Sequence, residues 1–343
     1  MNRTTESYPT VDLLQAIGYP TDEGFVHSSP TQVDLSEYAT RNKIGDLYVW
    51  QTDDETDVKG TNDDSDGSPL DRLDALRRTV KQVSDLFIDE GLDFALVKTP
   101  IDFPADFSDV DVLVGQSQLT RARKILRSKG YEPVADSPSS TDFVHPKTGS
   151  VVDVQNDFTL RELVYLPGKA VLNNSEDRCQ FERRIRTPTD PTQLALIVIH
   201  SLTEQLYTLR DFYHIVSLFE RFSWGEYREF RQFVGDFGLA GAMNAALPLT
   251  ARLSEEVFGR CPEPLRTAVK ECRDYGEYER FVRRDYSAPH RYSARTMIRT
   301  VGHKFKDPVF RSSTIDELTE LRDPRIVRSN IKQLLYRQRR ESY

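Results

Sequence analysis

Asp109 and Asp111 stand in the run DFSDVDVLV, residues 106–114, separated and followed by valines. Such a run reads as a short strand, and a strand turns alternate side chains to opposite faces. Both carboxylates then share one face, with Val110, Val112 and Val114 on the other. Two like charges side by side need a cation or hydrogen bonds to offset them. A third acid, Asp153, lies between valines in GSVVDVQ, residues 149–155. If the two strands are neighbours in register, three carboxylates converge. With no matching set of histidines or cysteines, these donors suit a hard cation, Mg²⁺ or Mn²⁺. A site with few protein ligands leaves room on the metal for water and phosphate, which phosphoryl or nucleotidyl transfer requires. The ordinary alternative is a pair of surface aspartates facing water on an edge strand.

The elements that must position these acids are legible on either side. Ser68 and Pro69 open a helix whose apolar residues, Leu73, Leu76, Val80, Val83 and Phe87, recur at helical spacing until Gly91. LDFALVKT reads as a strand, DFSDVDVLV as a second, and SQLTRARKILRSKG as a helix ending at Gly130. YEPVA, TDFVH and SVVDVQND follow as short strands, the last two joined by the turn PKTG. The hairpin makes the sheet mixed. Within TDFVH, His145 reads as a hairpin residue.

Residues 159–187 read as an irregular bridge. From Asp190 the periodicity is helical, and four to six helices account for it. His200 lies in an apolar helix and reads as a packing residue. Arg210 and Asp211 are adjacent, so they do not face one another on a helix. In the first fifty residues, VDLLQAIG reads as a short helix and GDLYVWQT as a strand. The fold class is therefore α+β: a small mixed-sheet core followed by an all-helical domain. The expected divisions are an N-terminal appendage (1–50), an acidic disordered linker (51–68), the α/β core (69–158), the helical domain (188–282) and a basic C-terminal extension (283–343).

The strand order and the three acids together resemble the nucleotidyltransferase superfamily, whose minimal core carries a DxD pair on one strand and a third acid on another. More narrowly, the chain resembles the uncharacterised bacterial and archaeal nucleotidyltransferases. The matching stretches are LVKT at 96–99, SDVDVLV at 108–114, ILRSKGY at 125–131 and VVDVQ at 151–155. DPTQLALIVIHSL and LYTLRDFYHIVSL are similar to the helices that follow the core in that family. The resemblance runs from about residue 70 to 260. It implies that Asp109, Asp111 and Asp153 are the catalytic metal ligands. It also implies that Lys98 lies beside the nucleotide and that Arg210 lines the cleft. The larger families carry a Gly-Ser or Gly-Gly pair before the DxD strand, where glycine lets phosphate approach the backbone. This chain has Thr99 and Pro100 there. Thr99 retains a hydroxyl for a phosphate, whereas Pro100 has no N–H to give.

Composition narrows the partners. The 343 residues carry a formal net charge of −8 and are 38% hydrophobic, which argues against a general nucleic-acid binder, so no stable DNA complex is expected. The stretch QTDDETDVKGTNDDSDGSP, residues 51–69, has too little apolar surface to offset ordering. Cys179, Cys261 and Cys272 form neither a disulfide framework nor a CxxC site. A reducing cytoplasm is expected, with no membrane span and no signal peptide. Basic and aromatic residues interleave from Arg283 onward. They suit an RNA partner, or they fold back with Met297, Ile298, Val301, Ile331, Leu334 and Leu335 buried. Three functions fit. One is an enzyme moving NMP from an NTP to an acceptor hydroxyl on a small molecule, a protein or an RNA. Another is an inactive module of the same fold that binds protein or RNA. A third is a toxin-like transferase acting on tRNA or protein.

Overall fold

The structure is a computed structural model that describes residues 8–21, 24–26, 34–52, 69–98, 103–104, 109–160, 163–180 and 183–320. Most of the acidic stretch expected as a linker, Thr99, Pro100 and Asp106 lie outside the described residues, as do Ile331, Leu334 and Leu335.

Five strands form one mixed sheet and are numbered in chain order: β1 (Phe94–Leu96), β2 (Val110–Val114), β3 (Glu132–Asp136), β4 (Ser140–Val144) and β5 (Val151–Gln155). Their spatial order is β1-β2-β5-β4-β3. β2 and β5 run parallel, while the other neighbours are antiparallel. Alternation divides the sheet into two unlike faces. Val110, Val112, Val114, Phe143, Val152 and Val154 lie on one, in an apolar cluster with Val80, Val83 and Phe87 of helix Pro69–Asp89 and Ala122, Ile125 and Leu126 of helix Leu119–Ser128. On the opposite face Ala95 and Leu113 join a second cluster, which they share with the helices. The acids belong to this second face.

From Asp190 the chain is mostly helical. Two of its helices, Leu209–Arg221 and Trp224–Asp236, begin in capping boxes, Thr208 with Asp211 and Ser223 with Glu226. Each box satisfies backbone donors that a helix start leaves open. The N-terminal stretch packs into this helical core. Leu13, Leu14 and Ile17 of helix Pro9–Ile17 share its apolar cluster with Phe212, Ile215 and Phe219.

Two expected elements differ. GDLYVWQT is a helix, Gly45–Thr52, with Gly45, Asp46, Leu47 and Tyr48 buried in succession. A half-buried strand would bury every second residue. The aromatic and β-branched content suggested a strand, but packing against the N-terminal helix decides the outcome. Residues 159–187 are regular. Asp157–Leu160 pairs with Leu163–Pro167, helix Gly168–Asn173 follows, and Ser175–Gln180 pairs with Arg183–Pro188. The last hairpin is dense in charge and its apolar alternation is weak, so backbone pairing, invisible in side-chain pattern, holds it.

The basic C-terminal stretch is built into the fold as far as it is described. Helix Ala294–Lys304 lies so close to helix Ala240–Phe258 that a Cβ on Gly241 would sit 2.8 Å from Thr300 Cα. Met297 and Val301 pack on the core, but Ile298 is 73% exposed. Glu277, 2% exposed, accepts hydrogen bonds from Ser293 Oγ (2.7 Å) and bonds His290 Nε2 (2.8 Å). Burial pushes its carboxyl up, yet the bonds from His290, Thr296 and Ser293 outweigh this and lower it to about 2. Among the described residues, no helix is long and apolar enough to cross a membrane.

Candidate functional site

The register of the sheet brings the acids together. Asp111 of β2 is the parallel partner of Asp153 of β5, and Asp153 is the antiparallel partner of Asp142 of β4. Partners in register share a face, so three adjacent strands carry a row of carboxylates. Asp109 stands immediately before β2. Asp142 was not anticipated. Its signal was available, because the PKTG hairpin pairs Val144 with Val151 and the next same-face pair is Asp142 with Asp153.

Lys98 meets this row. Val97 N–H donates to Asp111 O at 3.1 Å, which extends the β1–β2 pairing to the edge of the site. Lys98 follows with φ 60°, the left-handed region that costs a non-glycine residue. Its Nζ donates to Asp111 Oδ1 at 2.5 Å. Burial works against the ammonium, but Asp111, Asp153 and Asp109 offset it and hold its pKa above the ordinary lysine value. Burial likewise raises Asp111, with Lys98 opposing and Asp109 adding to the rise. Asp153 is pushed up to about 8, first by burial and then by Asp111, with Lys98 opposing. Burial and Asp109 raise Asp142, which a hydrogen bond with Asp153 partly offsets. Asp153 Oδ1 is buried and has no hydrogen-bond partner among the described residues.

A cavity of about 240 Å³ opens beside the row, with Lys98, Asp109 and Asp111 on its sheet side. Helix Asp190–Thr203 and the residue after it face them with Ile197, His200 and Glu204, spaced by three and four residues and therefore on one side of the helix. Arg210 and His214 come from helix Leu209–Arg221 at the same spacing, and Lys43 from the turn after helix Ser36–Arg41. Arg210 N–H donates to Asn42 O at 3.3 Å, which ties that turn to the wall. Arg210 Nε and His214 Nε2 are buried without hydrogen-bond partners among the described residues. His200 and His214 are held well below the ordinary histidine value, by burial first and then by nearby cations including Arg210. Both imidazoles are therefore neutral near pH 7. Asp211 also reaches the cavity, but its Oδ2 accepts from Thr208 N–H and Oγ1, both at 2.8 Å, and so caps its helix.

Of the expected residues, Asp109, Asp111, Lys98 and Arg210 line one cavity, and Asp153 stands beside Asp111 on the neighbouring strand. Thr99 lies outside the described residues. His200, read as packing, lines the cavity, as do Lys43 and His214, which sequence reasoning missed. Arg210 and His214, four residues apart on an amphipathic helix, carried a readable signal.

The donor set is all oxygen, and one buried carboxylate oxygen is unpartnered, which suits Mg²⁺ or Mn²⁺ chemically. The geometry is not closed around an ion. Among the described residues, no group of three His, Cys, Asp or Glu side chains is arranged as a ready-made metal site. Asp111 is turned to Lys98 instead.

A family model described as an uncharacterised nucleotidyltransferase matches residues 106–251, fewer than half of the chain. The matched stretch contains the whole carboxylate row and Arg210. No curated protein matches the chain. Among solved structures, the chain is similar to an antigenic nucleotidyltransferase-like protein from Paracoccidioides brasiliensis. The two are 12% identical over 59% of this chain and 95% of that one, with a TM-score of 0.33. A likeness at that score carries no argument about fold or activity.

Proposed function

We propose that the protein is a metal-dependent nucleotidyltransferase that moves NMP from an NTP to an acceptor hydroxyl. One observation carries the reading. Asp109 and Asp111 share a cavity with three cationic side chains, Lys98, Lys43 and Arg210, and Asp153 is the in-register partner of Asp111 on the next strand. Asp109, Asp111 and Asp153 would hold Mg²⁺ or Mn²⁺, which when bound neutralises phosphate charge and acidifies the attacking hydroxyl. Lys43 and Arg210 stand across the cavity, where a triphosphate would meet their charges. The neutral imidazoles of His200 and His214 can hydrogen-bond without adding charge. In the reaction the acceptor oxygen bonds to the α-phosphorus and pyrophosphate leaves.

Wild-type protein and Asp111→Asn are incubated with each labelled NTP, Mg²⁺ or Mn²⁺, and a lysate resolved into protein, RNA and small molecules. Label should enter one fraction with wild type. It should fall by on the order of 100-fold or more with the variant, as loss of several kcal/mol of charge stabilisation requires. Equal labelling by both proteins would refute the reading. The Lys98–Asp111 pair favours a second reading, a binding module of the same fold without turnover, because the central acid is already engaged. No transfer into any fraction would support it.

A further inference from the structure

Lys98 and a divalent cation compete for the same oxygen. The ammonium lies 2.5 Å from Asp111 Oδ1. A bound Mg²⁺ would sit about 2.1 Å from a carboxylate oxygen. Both on Oδ1 would place two positive centres no more than about 4.6 Å apart beside a buried carboxylate, where repulsion is poorly screened. We propose that Lys98 is the internal occupant of the metal position, and that a divalent cation binds Asp111 only by displacing it. The inference rests on the metal site of the nucleotidyltransferase reading and adds a positioning role for Lys98 within it.

Three further features support the exchange. Lys98 holds its contact from a left-handed backbone, so the contact is maintained against local strain. The ammonium of Lys98 acts on Asp109, Asp111 and Asp153 and brings them a single positive charge. A divalent cation supplies twice the charge. The displaced side chain also has somewhere to go, because Lys98 lines the cavity as well as touching Asp111. Lys43 and Arg210 share that cavity, so an empty cleft repels the ammonium toward Asp111 and a bound polyanion draws it away. Metal and triphosphate should therefore reinforce each other's binding through this residue.

The test uses the full-length chain and Mn²⁺ alone. Lys98→Asn removes the charge with a residue that tolerates the left-handed backbone. Calorimetric titration should show the variant binding Mn²⁺ about tenfold more tightly than wild type, or better, equivalent to about 1.4 kcal/mol. In wild type, Mn²⁺ should raise the labelling of Lys98 by an amine reagent severalfold, read by mass spectrometry. If wild type binds Mn²⁺ and the variant binds it equally or more weakly, the displacement idea fails and the metal site stands. If neither protein binds Mn²⁺, both fail. Should the variant not fold, unchanged labelling of Lys98 in Mn²⁺-saturated wild type would by itself overturn the proposal.

Discussion

At the scale of single residues, Asp153 makes the clearest prediction. Its carboxyl titrates near 8 in the folded chain, against an ordinary value of 3.8. A raised folded value contributes stability that is complete below the unfolded value and is lost as pH rises through the folded one. The metal-free protein should therefore lose stability between about pH 4 and 8. Asp153→Asn replaces the protonated acid with a neutral group of the same shape. Its melting temperature in EDTA should vary less over that window and exceed wild type at pH 8, by roughly 1–3 kcal/mol of stability. Parallel pH profiles for the two proteins would contradict this. The acids differ in how easily they are read. Asp109 and Asp111 stand out because valines frame them. Asp142 is hidden because its partner lies across a turn, and only counting the hairpin register finds it. His200 is surrounded by apolar residues in sequence, and side-chain type alone cannot reveal that its helix turns that position to a polar cleft.

At the scale of elements, the short helix Gly168–Asn173 fixes how the sheet meets the rest of the chain. A Cβ on Gly168 would lie 1.9 Å from Asn156 O and 2.8 Å from Leu113 Cδ1. Gly168 N–H also donates to Asp157 Oδ1 at 2.7 Å. Gly168→Ala must therefore push the helix off β2 and the residues after β5, at a cost of about 1–3 kcal/mol or more. Chemical denaturation with an unchanged midpoint would show that the contact gives way freely. The sheet and its two covering helices were legible because their apolar periods of two and 3.6 are clean. The hairpin between 175 and 188 was not, because its strands SEDRCQ and RRIRTP are dense in charge and the ladder is a backbone property. The helix Gly45–Thr52 was misread for the opposite reason. Its residues favour strands in isolation, and a neighbour distant in sequence settles its form.

At the scale of the whole molecule, the basic C-terminal stretch is structural over its described length. Glu277 is buried with His290, Ser293 and Thr296 as its partners, and Phe310 packs its fully buried ring on Tyr165. Ending the chain at Val282 would strip Glu277 of these bonds and leave it the longer contact with Arg280 at 3.5 Å, a loss on the order of several kcal/mol. The truncated protein should be insoluble or unfold without cooperativity in a thermal melt. A soluble product melting like wild type would show that the stretch is dispensable. An RNA partner for this stretch is tested separately, by salt-dependent RNA retention of the full-length protein. The cleft, finally, is closed by helices that lie downstream of its acids. Synthesis from the N-terminus can complete the sheet while the wall bearing His200, Arg210 and His214 is still to be made. Folding around Asp153 takes up a proton near neutral pH, because burial is the largest cause of the rise in its carboxyl. Completing the fold around this acid is thereby tied to the acidity of the medium, and alkaline conditions oppose it.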